Sequence, residues 1–396
     1  MTRLAFALAA LAGLAVAARA ADPPLVEQYL HSGQLAKGEQ VLERAIEDKP
    51  KDDQARFGLG VLRVVRAVER LGQSLHEYGV KPESTSVPFL RLPVSENNDP
   101  TPISYAALRR VLERFADDLG KAEATLADVT DDGVQLPLRL ADVTMDLDGD
   151  GKPTDKLLPL LKKLLGVARF EFLEKNADFR VTFDRGDVAW LRAYCHLLSA
   201  MVDFSQAFDL KPLFDAFGKD QFAKPKTSSD DVNGMLLKLI TRIDVPEPAR
   251  LGSFRRHMLK VCELNRETWK YIRAEKDDDH EWLPNPKQKG VLGLPVTDAM
   301  IDGWLAGVAE MEGLFTGKKV IDMGGLVKTD GHGLNFKEFL DHPPESISLN
   351  KIFTDGVDKK YLTKLTAENT FDNRTFGRML GLFDESFGFA YGLWFN

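Results

Sequence analysis

The spacing of apolar residues predicts helices along most of the chain. Between Ser104 and Leu126 apolar side chains recur at helical intervals, at Tyr105, Leu108, Val111, Leu112, Phe115 and Leu119. Similar stripes follow Asp184 and recur in three segments after Ser228, whereas residues 317–370 show no clear period. The pattern therefore predicts a mainly α-helical fold.

A small β element is predicted at the centre of the chain. The stretch "GVQLPLRLADV" alternates apolar with other residues, at Val134, Leu136, Leu138 and Leu140. A second alternation runs through residues 179–183 and ends at Asp184, where another helix is expected to begin. If the two strands are parallel, a right-handed crossover joins them. Asp184 and Asp187 would then come close to the loop after the first strand. The predicted fold class is mainly α with a small central β element.

These changes of pattern divide the chain into five segments. Residues 1–20 form a leader, 21–79 a helical hairpin and 80–103 a proline-rich linker. Residues 104–225 form a central α+β domain, and residues 226–396 form a mostly helical C-terminal region. The length suggests two or three domains with cores of ordinary size.

The leader has the pattern of a secretory signal peptide. Arg3 precedes an apolar run from Leu4 to Ala17, and Ala18-Arg19-Ala20 gives a small-x-small cleavage signal. A membrane anchor is the alternative, but a run of about 14 residues is short for a helix that needs about 20 to cross a bilayer. We therefore expect an exported protein, periplasmic or secreted, with no membrane span after cleavage.

The net charge argues against one class of partner. Removal of residues 1–20 takes away two arginines and no acids, so the formal charge of −8 becomes −10. Because an acidic chain repels phosphate backbones, no nucleic-acid partner is expected.

Residues 21–79 carry the pattern of a helical repeat. The pattern resembles a tetratricopeptide (TPR) repeat at Tyr29, Gly33, Leu35, Gly38, Leu42, Ala45 and Pro50. Leu59-Gly60 stands where the next unit of about 34 residues begins. The chain departs from the family at Gly38, where alanine is usual, and the second unit fades after Leu71. The resemblance implies a TPR-like hairpin that binds another protein through residues 22–75. An ordinary antiparallel helix pair is the alternative.

The sharpest chemical signal is the stretch "DLDGDGKPTDKL", residues 146–157. Asp146, Asp148 and Asp150 alternate, and Gly151 follows. Calcium takes about six to eight oxygen ligands, and alternate aspartates on a tightly turned loop can converge on one ion. The stretch resembles the DxDxDG calcium loops of EF-hand and dockerin proteins. In that resemblance Lys152 gives its backbone carbonyl, and Thr154 contributes directly or through water. The predicted cofactor is Ca²⁺.

The loop departs from the EF-hand pattern at its last position. Leu157 stands where an EF-hand has a bidentate glutamate, and a strand instead of a helix leads in. The missing carboxylate comes either from Asp155 nearby or from Asp184 or Asp187 farther along the chain. An exposed acidic turn without an ion is the alternative. Three neighbouring carboxylates repel by at most about 1 kcal/mol per pair in water-like surroundings.

Other stretches give weaker signals. The stretch "DDDHEW", Asp277 to Trp282, is interpreted as a solvated loop, with metal binding as the alternative. HExxH, GxSxG and paired CxxC motifs do not occur, so no catalytic residue is assigned.

Cys195 and Cys262 lie in helical patterns, and the sequence leaves open whether they form a disulfide or remain buried thiols.

Three hypotheses of function follow. The favoured one is a calcium-stabilised exported binding or scaffold protein without enzymatic activity. The others are a metal-assisted hydrolase of an envelope polymer, using acids near Asp184, and a TPR-type adaptor. A deep pocket beside a perturbed carboxylate would favour the hydrolase. The segments "VTFDRGDVAWLRAYCHLL" and "TGKKVI…GHGLNFKEFL" resemble uncharacterised exported bacterial proteins. This resemblance gives no information about activity.

Overall fold

A computed structural model describes residues 22–84, 88–165, 173, 175–176, 178–227, 231–278, 280–293, 295–327 and 329–381. The predicted signal peptide lies outside these residues. The described part of the chain is mainly helical with only small two-stranded sheets, so the predicted fold class is confirmed. In this part of the chain, no helix combines the length and apolar character that a membrane crossing requires.

Thirteen α-helices run through the described residues. In chain order they are α1 Glu27–Ser32, α2 Leu35–Asp48, α3 Asp53–Glu77, α4 Tyr105–Ala127, α5 Leu157–Leu165, α6 Arg185–Ala207, α7 Lys211–Gln221, α8 Val232–Thr241, α9 Ala249–Ala274, α10 Asp298–Thr316, α11 Phe336–Asp341, α12 Leu349–Asp355 and α13 Asn373–Gly381. Side chains that accept backbone N–H groups begin several of them, among them Asp52, Ser104, Asp184 and Thr297.

Eight short strands form four antiparallel pairs in the described residues. The strands are β1 Leu136–Leu138, β2 Thr144–Met145, β3 Asp155–Lys156, β4 Val181–Phe183, β5 Ile243–Asp244, β6 His332–Leu334, β7 Ser346–Ile347 and β8 Leu362–Lys364. The pairs are β1–β4, β2–β3, β5–β7 and β6–β8. Three of these strands, with α11 and α12, lie in residues 317–370. Each of these elements is too short to leave a hydrophobic period in the sequence.

The two central strands are antiparallel, so the parallel arrangement considered from the sequence is wrong. Leu136 pairs with Phe183, and Leu138 pairs with Val181. Because the strands run in opposite directions, the end of β4 lies beside the beginning of β1. Asp184 follows β4 directly and therefore lies at the far end of the pair from the loop after β1. Alternation of apolar residues predicts a strand, but it does not give the strand's direction.

The long helices pack in a series, each against the next in space: α2, α3, α4, α6, α9, α10 and α13. The most extensive contact joins α6 and α9, where Ala189 and Ala193 are fully buried in a cluster with Leu264. A Cβ added at Gly186 would lie 2.8 Å from Ile272 Cγ1. Small side chains on α6 thus allow the two helices to approach closely.

The N-terminal hairpin consists of α1, α2 and α3. Ion pairs join Glu39 of α2 to Arg63 and Arg66 of α3. A Cβ added at Gly38 would lie 2.6 Å from Tyr29 Cβ, and it would also meet Leu62. Glycine at this position, where the TPR family usually has alanine, therefore permits the close contact of all three helices.

The described parts of the proline-rich segment 80–103 lie against the rest of the fold. The Lys81 amide donates to the Gln221 carbonyl at 2.7 Å, and the Lys226 amide donates to the Ile103 carbonyl at 2.7 Å. Leu92 is also buried. Both ends of the segment are thus fixed near the C-terminal end of α7.

A buried carboxylate links the hairpin to the central strands. Glu27 of α1 is only 3 % exposed. Arg180, which precedes β4, donates to its Oε1 at 2.8 Å and to its Oε2 at 2.9 Å. The Arg139 amide, after β1, donates to Oε1 at 3.1 Å. One side chain therefore holds α1 against both strands at one end of the β1–β4 pair.

Candidate functional site

The aspartate loop, residues 146–155, connects β2 to β3. Pairing of Met145 with Asp155 closes the loop at its base. Carboxylate oxygens of Asp146, Asp148 and Asp150 lie within 4.8 Å of one another. The three side chains thus converge instead of spreading apart, and their arrangement can hold a cation.

The loop takes its shape from hydrogen bonds to its own first aspartate. Asp146 Oδ1 accepts from the Gly149 amide at 2.7 Å, and Oδ2 accepts from the Gly151 amide at 2.9 Å. Gly149 and Gly151 have φ of 76° and 84°, in the left-handed region that favours glycine. No atom would lie within 4 Å of a Cβ added at Gly151. The sharp turn therefore requires glycine for its backbone conformation, as calcium loops do.

The remaining predicted ligands occupy the second half of the loop. Lys152 Nζ donates to Asp150 Oδ2 at 2.9 Å and lowers the pKa of Asp150. The Lys152 carbonyl accepts from the amide of Thr154, whose side chain is exposed. Asp155 Oδ2 accepts from the Leu147 amide at 3.0 Å. Burial and the charges of Asp148, Asp146 and Asp150 raise the pKa of Asp155, so added positive charge would be favourable here.

The aspartate loop is attached to the N-terminal hairpin. The Asp146 amide donates to Glu69 Oε1 at 3.0 Å, and Gln73 Nε2 donates to the Asp146 carbonyl at 2.9 Å. Burial and the charge of Asp146 raise the pKa of Glu69. At the end of α1, a Cβ added at Gly33 would lie only 2.1 Å from Pro153 Cβ. The loop is therefore packed against both α1 and α3.

Asp184 and Asp187 do not complete this loop, which corrects the suggestion made from the sequence. Gln135, next to β1 at the Asp184 end, accepts a hydrogen bond at its carbonyl from Gln54 at the start of α3. The loop contacts Gln73 near the end of the same helix. The separation of these two contacts along α3 is about 28 Å at a rise of 1.5 Å per residue. The antiparallel pairing of β1 and β4 places the two aspartates at the opposite end.

Asp184 instead belongs to a second group of carboxylates. We call Asp184, Asp187, Glu275 and Glu281 the acidic cluster. Oxygens of Asp184, Glu275 and Glu281 lie within 4.8 Å of one another. Asp184 caps the N-terminus of α6 and forms a capping box with Asp187, while Glu275 follows the last residue of α9. The close packing of α6 on α9 therefore brings the acids together.

The acidic cluster borders a cleft of about 410 Å³. Asp184, Glu275 and Glu281 line it together with Arg185, Lys270 and Tyr271, among others. The Arg185 guanidinium lies 5.2 Å from the centre of the Tyr271 ring, and Lys270 Nζ lies 5.4 Å from it. The cleft thus combines carboxylates with two cations that are held against one aromatic ring.

The pKa values of two carboxyl groups in the acidic cluster are strongly raised. Burial, close contact with Asp184 and the charges of Asp184, Asp187 and Glu281 raise the pKa of Glu275 to about 10. Burial and the charge of Asp184 raise the pKa of Asp187 well above its ordinary value. Four carboxylates at this site favour the uptake of a proton or a cation.

The sequence identified this cluster only in part. Asp184 and Asp187 were candidates for a different site, and Glu281 lies in the stretch Asp277 to Trp282, for which metal binding was the alternative. Glu275 carries no sequence signal, because it is one of several charged residues at the end of α9. Only the packing of α6 against α9 makes it a neighbour of Asp184.

A further polar network lies between α4, α6 and α9. Arg192 Nη2 lies 2.9 Å from Glu123 Oε1, and His196 Nε2 lies 3.4 Å from the same oxygen. Burial raises the pKa of Glu123, but its interactions with His196 and Arg192 outweigh that effect and lower the pKa to about 2. On the same helix face, Cys195 is buried and free, as is Cys262 of α9. The two cysteines are therefore buried thiols and not a disulfide.

Comparison with known proteins identifies no relative. No family model matches the chain, and neither the curated proteins nor the solved structures give a match. The function of the protein therefore has to be inferred from its own residues, and above all from its two groups of carboxylates.

Proposed function

We propose that the protein is an exported binding or scaffold protein, without enzymatic activity, that one Ca²⁺ ion in the aspartate loop stabilises. The observation that carries this proposal is the convergence of Asp146, Asp148 and Asp150 within 4.8 Å on a loop already turned by Gly151. Oxygen-only ligands of this kind suit a hard cation. The signal peptide predicted for residues 1–20 supports a location where calcium is available.

The contacts of the loop support a structural role for the ion. The loop lies against α3 and α1, at Gln73 and Gly33. Asp146 and Asp148 are partly buried and Asp150 is exposed. Such a position suits an ion that fixes two parts of the fold to each other. Sites of extracellular modules fill at dissociation constants of about 10⁻⁴ to 10⁻³ M, so even weak binding is sufficient outside the cytoplasm.

The experiment is thermal unfolding of the mature chain in calcium and in chelator. An ion at 100 times its dissociation constant adds about 2.7 kcal/mol to the free energy of unfolding. With an unfolding entropy of about 2.1 cal/mol/K per residue, this corresponds to a shift of about 3 °C for a chain of this size. The double variant Asp146→Asn plus Asp148→Asn should show a clearly smaller shift.

A matched control removes the same charge elsewhere. Asp117 and Asp220 are exposed and lie outside both groups of carboxylates, so Asp117→Asn plus Asp220→Asn should retain the full calcium shift. If the parent shows no shift, the ion is absent. If the loop variant keeps the shift, the ion binds at another site.

A second candidate function is metal-assisted hydrolysis in the cleft. The observation that favours it is the partly buried Glu275, whose pKa is raised to about 10 beside a cleft of about 410 Å³. Acids in such surroundings are candidates for general acid catalysis. Hydrolysis of envelope polysaccharide or peptidoglycan fragments, lost in Glu275→Gln, would support this candidate.

Protein binding through residues 22–75 has less support. The groove between α2 and the start of α3 measures about 300 Å³, and Leu42 and Ala55 line it. Another face of α3 packs on α4. A TPR-type adaptor role therefore requires a partner small enough for this short groove.

A further inference from the structure

We propose that the acidic cluster is a second cation site, in which Asp184, Glu275 and Glu281 bind a hard divalent metal ion within the cleft. The three carboxylates come from the start of α6, the end of α9 and the segment after α9. Their oxygens lie within 4.8 Å of one another, which allows a single ion to contact all three. Ligand sets made only of carboxylates select Mg²⁺, Mn²⁺ or Ca²⁺ over softer metals.

The buried side chain behind these ligands supports the assignment. Asp187 is only 3 % exposed, and its Oδ1 accepts no hydrogen bond. Its other oxygen accepts from the Asp184 amide at 3.0 Å, so the side chain is held directly beside the first ligand. A buried carboxylate oxygen without a partner is costly unless positive charge lies nearby. A cation on Asp184 would supply that charge.

Among the described residues, no protein cation forms an ion pair with Asp184, Asp187 or Glu275. Arg185 is the nearest guanidinium in sequence, but its buried Nε and Nη1 donate no hydrogen bond, and its closest acid is Asp132 at 3.8 Å. Arg185 therefore lies against Tyr271 and forms no ion pair with Asp184, Asp187 or Glu275.

The position of Glu275 gives a further argument. Glu275 directly follows α9, where the partial negative charge of the helix end disfavours an acid. Its Oε1 is buried without a hydrogen-bond partner. A Cβ added at Gly186 would lie 3.4 Å from that oxygen and 3.2 Å from Asp184 Oδ1. Glycine in the first turn of α6 thus leaves space beside the two carboxylates.

A shared proton is the competing way to reduce the charge. One proton shared between Asp184 and Glu275 compensates one negative charge, whereas a divalent ion compensates two at once. The cleft also gives an ion a path to the site. The proposal stands apart from the calcium loop, and it does not require that the cleft has hydrolytic activity.

The test counts Mn²⁺ ions bound to the mature chain, by electron paramagnetic resonance of the free ion at neutral pH. The parent is compared with Glu275→Gln plus Glu281→Gln and with the loop variant Asp146→Asn plus Asp148→Asn. The cluster variant should bind one Mn²⁺ fewer than the parent, or bind it at least tenfold more weakly. The loop variant should retain that ion, which separates this site from the calcium loop.

Two results would overturn the proposal. One is equal Mn²⁺ binding, within twofold, by the parent and the folded cluster variant. The other is a loop variant that binds no Mn²⁺. Should the cluster variant fail to fold, Asp184→Asn replaces it, because asparagine also caps a helix N-terminus. The variant Asp117→Asn plus Asp220→Asn must bind Mn²⁺ as the parent does.

Discussion

The link between α1 and the central strands gives the most direct prediction of stability. Glu27→Gln keeps the shape of a side chain that is 3 % exposed but removes its negative charge. The two hydrogen bonds from Arg180, at 2.8 and 2.9 Å, then lose their charge-assisted character. The bond from the Arg139 amide, at 3.1 Å, also weakens. We therefore expect a clear loss of stability when an amide NH₂ group replaces one carboxylate oxygen of Glu27.

The magnitude follows from the burial of each partner. Breaking a fully buried ion pair costs about 3–5 kcal/mol, because one charge remains without compensation. The Arg180 side chain is 36 % exposed and can turn partly toward water, so we expect the lower end, about 3 kcal/mol. With an unfolding entropy of about 2.1 cal/mol/K per residue, the melting temperature should fall by about 4 °C.

Differential scanning calorimetry of the parent and Glu27→Gln measures this change. The control is Asp99→Asn, which removes an exposed pair with Lys224 at 3.0 Å, where Asp99 is 98 % exposed. Exposed pairs contribute about 0–1 kcal/mol, so the control should shift the melting temperature by less than about 1 °C. Equal shifts for the two variants would show that burial of Glu27 does not determine the strength of the link.

Two further predictions concern packing and pH. Gly38→Ala should destabilise the protein by about 1–3 kcal/mol, because the added Cβ would lie 2.6 Å from Tyr29 Cβ. Gly120→Ala on α4 meets no atom within 4 Å and should stabilise by about 0.5–1 kcal/mol; thermal unfolding that gives the same sign for both would contradict this reasoning. Glu123 has a pKa of about 2, below its ordinary value of 4.5, so its contribution is present above pH 4.5 and is lost as the pH falls toward 2. Between those limits the parent should lose about 3 kcal/mol more stability than Glu123→Gln, and parallel pH profiles would refute this.

The sequence predicted most of the helices because periodicity is a local property. The expected helix from Ser104 to Leu126 is α4, Tyr105–Ala127, and Asp184 begins α6 as expected. The direction of β4 relative to β1 was not predictable from alternation, which is identical for parallel and antiparallel strands. The short elements in residues 317–370 were missed because strands of two or three residues and helices of six or seven are too short to give a clear period.

The two candidate sites differ in how completely the sequence predicts them. The aspartate loop is continuous in the chain, so the spacing of Asp146, Asp148 and Asp150 was enough to locate it. The acidic cluster joins residues separated by about 90 positions along the chain, and it forms only because small residues of α6 let α9 approach. Asp184 was therefore recognised as an acid of interest, while its actual neighbour Glu275 was not.

The contact of Gly33 with Pro153 restricts how this protein can change during evolution. A side chain at position 33 would overlap a proline ring that belongs to a loop 120 positions away. Position 33 therefore accepts no side chain while residue 153 keeps its place, and a helical hairpin taken from another protein would fit here only if it also left this space empty. The contact thus ties the sequence of the first helices to that of the acidic loop.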